Sequence, residues 1–202
     1  MPANPVKPRR RATDPATGPA TEPATTGDLL VKAAMQEFRS HGYGGTDTNK
    51  IARRAGFAPQ TFYRWFTDKT LIFLAAYRLW QDEEQRALDA LIAGRAQSSR
   101  LVDAVIAHHR DYRLFRRSLR QLAVENASVR DARAQSRKAQ IDRIRQRSQL
   151  PEAQSGAIAA TLLQIERLAD AFAEGEFDDL GIGASEARRA MAGLIASLSR
   201  TP

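Results

Sequence analysis

The sequence predicts an all-α protein, in which an N-terminal three-helix helix-turn-helix domain is followed by a larger helical bundle, about nine helices in total. Two observations support this prediction. Ala, Leu, Arg and Gln are abundant, and these residues lose little conformational freedom in a helix. From residue 28 onward apolar residues recur at helical spacing, and no stretch alternates as a strand would. With 202 residues, 43% of them hydrophobic, the chain can form one or two small cores.

Residues 1–26 differ in composition from the rest of the chain, because they hold six of the nine prolines, separated by Thr, Ala and Gly. Such a segment cannot bury enough apolar surface to offset its ordering entropy, so we expect a disordered tail. Arg9–Arg11 form a basic cluster that no apolar signal segment follows, which argues against a secretory signal. The cluster could contact a polyanion such as DNA, or it could simply be solvated.

Residues 27–72 are predicted to form the domain of short helices. The first helix extends to about residue 41, with its apolar positions on one face. Asp47 and its neighbouring threonines can cap the second helix, and Gly56 can adopt the positive φ that ends it sharply. The third helix starts at Pro59 and runs to about residue 66.

Residues 73–202 are predicted to form the larger bundle. Ser128 and Asp131 have the spacing of a capping box, and Pro151 suits the first turn of a helix that ends near Gly175. From the fourth helix onward, the predicted helices cover about residues 68–94, 101–112, 114–124, 128–148, 151–175 and 185–198.

Charge is distributed unevenly along the chain, whose formal net charge is +8. Residues 110–147 contain twelve basic and four acidic residues, whereas residues 148–202 contain four basic and eight acidic ones. A basic chain with an acidic C-terminal part indicates a polyanionic partner for only part of the surface.

Several classes of protein are disfavoured by what the sequence lacks. The absence of cysteine excludes disulfides and thiolate metal sites and is compatible with a cytoplasmic location. No apolar run approaches the roughly 20 residues that a membrane helix needs. His108 and His109 are adjacent, so on a helix they point about 100° apart and cannot share one metal ion. With no phosphate loop and no recognisable Ser/His/Asp set, we expect no cofactor and no enzymatic activity.

The most informative segment is residues 46–69. Phe57, Phe62 and Phe66 provide apolar anchors beneath a short helix whose polar residues are left facing outward. A helix of this size fits the major groove of DNA. There Arg64 could pair with guanine and Gln60 with adenine through two hydrogen bonds each.

At this point the sequence resembles the TetR family of regulators, over about residues 29–74. The resemblance rests on a set of motifs in fixed order, namely Phe38, Gly42-Tyr43, Thr46, Ile51-Ala52, Ala55-Gly56, Thr61-Phe-Tyr-Arg-Trp-Phe66 and Lys69. It implies a homodimeric repressor that binds double-stranded operator DNA and is released by a small molecule. The DNA-binding residues that it implies are Thr46, Thr48, Asn49, Pro59, Gln60, Thr61, Tyr63, Arg64, Trp65 and Lys69.

Two positions depart from the family pattern. Ala58 stands where many members have a serine that caps the recognition helix, and alanine has no oxygen with which to cap. Thr48 replaces a frequent aliphatic residue.

The same resemblance places an effector pocket among the middle helices. Candidates for its wall are Tyr77, Trp80, His109, Tyr112 and Phe115, each of which could equally belong to an ordinary core. The basic helix over residues 130–147 could favour an anionic inducer, such as a carboxylate or an acyl-CoA, or could present a solvated arginine-rich face.

The same resemblance implies a homodimer interface on the two C-terminal helices. The candidate residues mix small and large side chains, as closely packed helices do, and are Ala160, Gln164, Leu168, Met191, Leu194 and Leu198. The alternative explanation for these mixed small and large residues is packing within the chain.

Two other function classes stay open at this stage. The net positive charge would also suit a DNA-organising protein that binds without sequence preference. An enzyme with an appended DNA-binding segment is the third possibility, although no catalytic constellation supports it.

Overall fold

The computed structural model describes residues 24–198. The basic cluster Arg9–Arg11, and with it most of the predicted tail, lies outside the described residues. Within this range the structure contains no strand, which agrees with the predicted all-α class. It contains ten α-helices: α1 (Thr26–His41), α2 (Thr48–Arg54), α3 (Pro59–Tyr63), α4 (Lys69–Ala93), α5 (Ser98–Asp111), α6 (Arg113–Glu125), α7 (Ala127–Arg147), α8 (Ser155–Glu174), α9 (Glu176–Asp179) and α10 (Ser185–Ser197).

Helix α1 starts with a reciprocal cap that the sequence analysis overlooked. The Thr25 hydroxyl accepts a hydrogen bond from the Asp28 amide, and the Asp28 carboxylate accepts one from the Thr25 amide. This capping box satisfies two backbone donors at the helix start. The predicted boundary at residue 26 therefore falls just inside the ordered helix.

Two apolar cores lie one after the other along the molecule. The first joins α1, α2, α3, the start of α4 and α6, around Phe38, Phe62, Phe73 and Phe115, all of which are fully buried. The second joins α5, α8 and α10 and includes the fully buried Met191.

Helix α6 is connected to both parts of the molecule. On one side the Ser118 hydroxyl accepts a hydrogen bond from the Tyr43 amide (2.8 Å), at the end of α1. On the other side Arg116 and Arg120 donate to Asp170 of α8, at 2.9 and 2.5 Å. The Nδ1 of His109, on α5, donates to the same carboxylate (2.8 Å). Asp170 therefore ties α5, α6 and α8 together in a buried polar network.

Three predicted details of the bundle were wrong. Helix α7 begins at Ala127 and is capped by Asn126 rather than Ser128, because the Asn126 side chain accepts from the Val129 amide. Pro151 precedes a single 3₁₀ turn (Glu152–Gln154), so α8 starts only at Ser155. The predicted end near Gly175 is confirmed by its left-handed φ of 83°, but the short α9 follows at once and is the helix that the prediction lacked.

Among residues 24–198, no helix is both long and apolar enough to cross a membrane.

Candidate nucleic-acid interface

Helices α2 and α3 form a helix-turn-helix with the predicted turn. Gly56 has a φ of 82°, a conformation that costs glycine little, and the Phe57 amide then donates back to the Ala52 carbonyl (2.9 Å). Phe62 anchors α3 because its ring is completely buried in the first core. The opposite side of α3 is consequently left at the surface.

The predicted base-reading residues lie on that outer side. Gln60 and Arg64 are exposed, and Thr61 is half-buried. The helix is shorter than predicted: after Tyr63 the chain continues to Phe66 as a tight turn, in which the Trp65 amide donates to the Phe62 carbonyl (2.9 Å). Arg64 therefore lies at the C-terminal end of α3 rather than within it.

Tyr63 and Thr48 join the two helices of the motif. Tyr63 is 58% exposed, and its hydroxyl is hydrogen-bonded to the Thr48 hydroxyl (3.0 Å). Asn49 is exposed beside them on the first turn of α2. This bond explains what Thr48 does at a position where the family pattern has an aliphatic residue.

Thr46 does not present its side chain at the surface, so the expectation that this side chain contacts DNA is corrected. The residue is 4% exposed, and its hydroxyl donates to the Glu37 carboxylate (2.7 Å). Glu37 also accepts from Arg54 Nε (2.5 Å), so it connects α1, the following turn and α2. Burial acts to raise the pKa of Glu37, but the hydrogen bonds from Thr46 and Arg54 outweigh it and lower the pKa.

Lys69 is fastened to the turn between α1 and α2. Its ammonium donates to the Tyr43 carbonyl (2.8 Å) and the Thr46 carbonyl (3.0 Å), and lies 4.1 Å from the centre of the Tyr43 ring. Partial burial lowers the pKa of Lys69. An ammonium carries three donors, so one N–H is left for a phosphate.

Pro59 and Trp65 flank the motif. Pro59 is half-buried at the first position of α3, where its missing amide hydrogen costs nothing. Trp65 is 50% exposed and packs closely on Gly27, where an added Cβ would lie 2.7 Å from the indole ring.

Two basic residues beside α3 were not among the predicted DNA contacts. They are Lys50 and Arg53, which are exposed on α2 and add positive charge to this surface.

A second feature is a cavity of about 400 Å³ among α4, α5, α7 and α8. Three of the candidates for the wall of an effector pocket line this cavity, namely Tyr77, Trp80 and His109. Tyr112 and Phe115 do not. Phe115 is fully buried in the first core, where its ring lies 5.0 Å from that of Phe73, and Tyr112 packs outside the cavity beneath Arg39.

The outer faces of α8 and α10 are rich in small residues. Ala160 and Gln164 are exposed there, and a Cβ added to Gly156 or Gly193 would meet no atom within 4 Å. Met191 was wrongly assigned to an interface, because it is completely buried within its own chain. The other three candidates are half-buried against the second core and are Leu168, Leu194 and Leu198.

Comparison with known proteins agrees with this geometry. Residues 30–76, which include α1 to α3 and the start of α4, match the family model described as bacterial regulatory proteins of the tetR family. Residues 30–76 therefore carry the helix-turn-helix domain of the TetR family of bacterial regulatory proteins.

Two solved structures are similar to this chain over most of its length. One is a crystal structure described as a TetR-family transcriptional regulator from Rhodococcus sp., with 21% identity, a TM-score of 0.63, and coverage of 87% of this chain and 98% of that one. The other is the fatty acid degradation regulator FadR from Bacillus halodurans, with 15% identity, a TM-score of 0.49, and coverage of 86% and 96%. Comparison with curated protein sequences found no significant match.

Helix α3 lacks a side-chain cap, as predicted. Ala58 occupies the N-cap position of α3 in an extended conformation, and no side chain accepts from the first amides of the helix. We expect Ala58→Ser to stabilise the protein by about 0.5–2 kcal/mol, because its hydroxyl can accept from the Gln60 or Thr61 amide. Urea unfolding would measure the gain. Ala58→Val, which adds bulk but no oxygen, should bring none, and an equal gain from both variants would contradict the capping explanation.

Proposed function

We propose that this TetR-family regulator is a homodimeric repressor that binds a near-palindromic operator and is released by a small molecule. The observation that carries the proposal is the pair of opposite faces on α3. Phe62 is fully buried on one side, while Gln60 and Arg64 are free to approach DNA on the other. Residues 27–72 then form the DNA-binding domain, and residues 73–202 the regulatory and dimerisation domain.

The proposed DNA contacts are of two kinds, those that read base edges and those that position the protein on the phosphate backbone. Gln60, Thr61 and Arg64 would meet base edges in the major groove. Tyr63 and Lys69 would bind phosphates and set the register of the helix on the duplex. Four further residues border this surface and complete the proposed footprint, namely Thr48, Asn49, Pro59 and Trp65.

A homodimer is supported by the open small-residue faces of α8 and α10. These helices pack on each other within the chain, and Gly156 and Gly193 leave room for a second pair of helices to approach closely. Ala160 and Gln164 would lie in this interface. Two copies related by twofold symmetry would present two α3 helices to successive half-sites of a palindrome.

Effector release is supported by the cavity of about 400 Å³, whose volume falls within the range of small-molecule sites. Since the operator is chromosomal DNA, the proposed location is the cytoplasm. The proposed activity is regulatory, and it requires no catalytic step.

The test is selection of binding sites from genomic DNA, followed by footprinting of the selected sequence. We expect protection of a short near-palindrome by two chains. A selection that recovers no preferred sequence, with equal affinity for any duplex, would instead support the charge-driven DNA-organising protein. A specificity ratio above about 10³ excludes that alternative.

The Arg64→Ala variant should relax the preference at one base position of each half-site and lower operator affinity by about 1–3 kcal/mol. The reason is that a base-reading guanidinium contributes to discrimination and not only to charge. Competition binding against operators changed at single positions would measure this. Arg78→Ala, also exposed but on α4, should leave the preference unchanged. A uniform loss of affinity for all sequences would show that Arg64 contacts phosphate rather than a base.

A further inference from the structure

The cavity wall has one strongly basic side. Helix α7 presents a single face to the cavity, which includes Arg133, Arg137, Arg143 and Arg147. The opposing walls from α4, α5 and α8 are mainly apolar, with Leu88, Leu101, Val105 and Leu162 among them. The cavity is thus amphipathic, and the basic helix α7 supplies its charged side.

The arginines near α8 outnumber the carboxylates that pair with them. Glu166 alone faces three guanidiniums: those of Arg116 (2.8 Å), Arg133 (3.4 Å) and Arg137. Asp170 is the second carboxylate of this group and is paired with Arg116 (2.9 Å), so these three guanidiniums of the cavity wall face two carboxylates, which leaves one positive charge in excess.

The rest of the cavity wall does not cancel this excess. Arg147 is paired with Asp89, whereas Arg143 has no ion-pair partner among residues 24–198. The cavity wall holds one further carboxylate, that of Glu84, whose charge balances that of Arg143. Burial lowers the pKa of His109, which therefore adds no positive charge at neutral pH. The balance favours an anionic guest with a single charge and disfavours a cation.

Arg133 and Arg137 also reach the outside of the protein. Both line a shallow outer groove together with Arg120, Arg130 and the exposed side chains of Val124 and Leu163. The ion pairs of Arg133 and Arg137 with Glu166 therefore lie between the cavity and this groove. A carboxylate that arrives there can replace Glu166 as the partner of the same guanidiniums.

From this arrangement we propose that the cavity binds an amphiphilic monocarboxylate, with its apolar chain against the α4, α5 and α8 walls and its carboxylate on Arg133 and Arg137. This inference rests on the proposed effector-responsive function and specifies the chemical class of the effector. The carboxylate of the ligand competes with Glu166 for Arg137. As the ligand enters, its carboxylate therefore replaces that of Glu166 in the ion pair with Arg137.

The experiment is calorimetric titration of the full-length protein with dodecanoate, dodecylamine and dodecanol, the first two below their micellar concentrations and dodecanol below its solubility limit. Dodecanoate should bind at least about tenfold more tightly than the other two, because only it forms charge-assisted hydrogen bonds with the arginines. Equal affinity for the three probes, or tighter binding of the amine, would overturn the proposal.

Three variants locate the carboxylate. Arg137→Gln should weaken dodecanoate binding at least about tenfold. Arg145→Gln, on the same helix but away from the cavity, should bind dodecanoate with an affinity within about twofold of that of the unmodified protein.

Glu166→Gln should tighten dodecanoate binding, because it removes the competing carboxylate. A damaged pocket could not produce that gain, so unchanged or weaker binding by Glu166→Gln, in protein with an unchanged Tm, contradicts the proposed exchange.

Calorimetry needs no DNA, so its outcome is independent of operator binding. A protein that selects an operator but does not bind dodecanoate would overturn this inference and leave the regulator function intact. A protein that binds dodecanoate but selects no operator would leave the cavity assignment intact and overturn the proposed function.

Discussion

Asp170→Asn is expected to lower the free energy of unfolding by about 3–5 kcal/mol, as the removal of one partner from a buried ion pair does. The side chain of Asp170 is only 9% exposed, and its carboxylate accepts from His109, Arg116 and Arg120. The amide of asparagine carries no charge, so the Arg116 guanidinium would keep its desolvation cost with less compensation. Urea unfolding followed by circular dichroism would measure the loss.

The matched control is Glu176→Gln, which makes the same chemical change in an exposed ion pair. Glu176 is paired with Arg167 (2.6 Å), and both side chains face solvent. Water and salt screen such a pair, so a much smaller change is expected. Equal losses from the two variants would contradict the importance assigned to the buried network.

The same carboxylate predicts how stability responds to acid. Burial acts to raise the pKa of Asp170, but the hydrogen bonds from His109 and Arg116 and the charge of Arg116 outweigh it and lower the pKa well below its ordinary 3.8. Because the folded-state pKa lies below the unfolded one, the contribution is complete at neutral pH. It is lost as the pH falls below about 4. Asp170→Asn should lack this part of the acid dependence.

Phe62→Ala is expected to destabilise the helix-turn-helix by about 3–5 kcal/mol, because it leaves a cavity under the recognition helix. Phe62 is completely buried, and its ring contacts those of Tyr63 and Phe66, with centroids 5.3 and 5.8 Å away. Loss of this anchor should also remove operator binding. Thermal unfolding and the operator assay would measure the two effects.

The neighbouring Tyr63→Phe variant separates stability from DNA binding. It keeps the ring and removes only the hydroxyl bond to Thr48, so a stability loss of about 0.5–1.5 kcal/mol is expected. Operator affinity should fall almost uniformly across sequences, since a phosphate contact carries no base preference. If Phe62→Ala proved no more destabilising than Tyr63→Phe, the assignment of buried and exposed faces on α3 would be wrong.

Local features of the helix-turn-helix could be predicted because their causes are local. Gly56 ends α2 through its own φ, and Ala58 fails to cap α3 through its own side chain. Phe62 could be placed inside because apolar spacing on a short helix allows one inward face. These predictions needed no knowledge of distant residues.

Features that depend on tertiary packing could not be predicted in this way. Glu37 gave no signal in the sequence, since its partners Thr46 and Arg54 lie 9 and 17 residues away. Met191 and Phe115 each lie on an apolar helix face, and only the fold defines what packs against that face. Met191 was therefore predicted in the dimer interface, although it belongs to the second core. Phe115 was predicted in the cavity wall, although it belongs to the first core. Basic spacing along α7 likewise did not show which arginines face inward.

The hydrogen bonds that hold the Tyr63 and Lys69 side chains affect the entropy cost of binding. Lysine loses up to about 2 kcal/mol of rotamer entropy when it is immobilised. In this protein the Lys69 ammonium is held by two carbonyls, and the Tyr63 hydroxyl by Thr48, in the absence of DNA. Folding has already restricted these side chains, so the DNA contacts proposed for Tyr63 and Lys69 would require little further ordering of either side chain. Preorganisation of this kind leaves more of each contact's interaction energy as affinity.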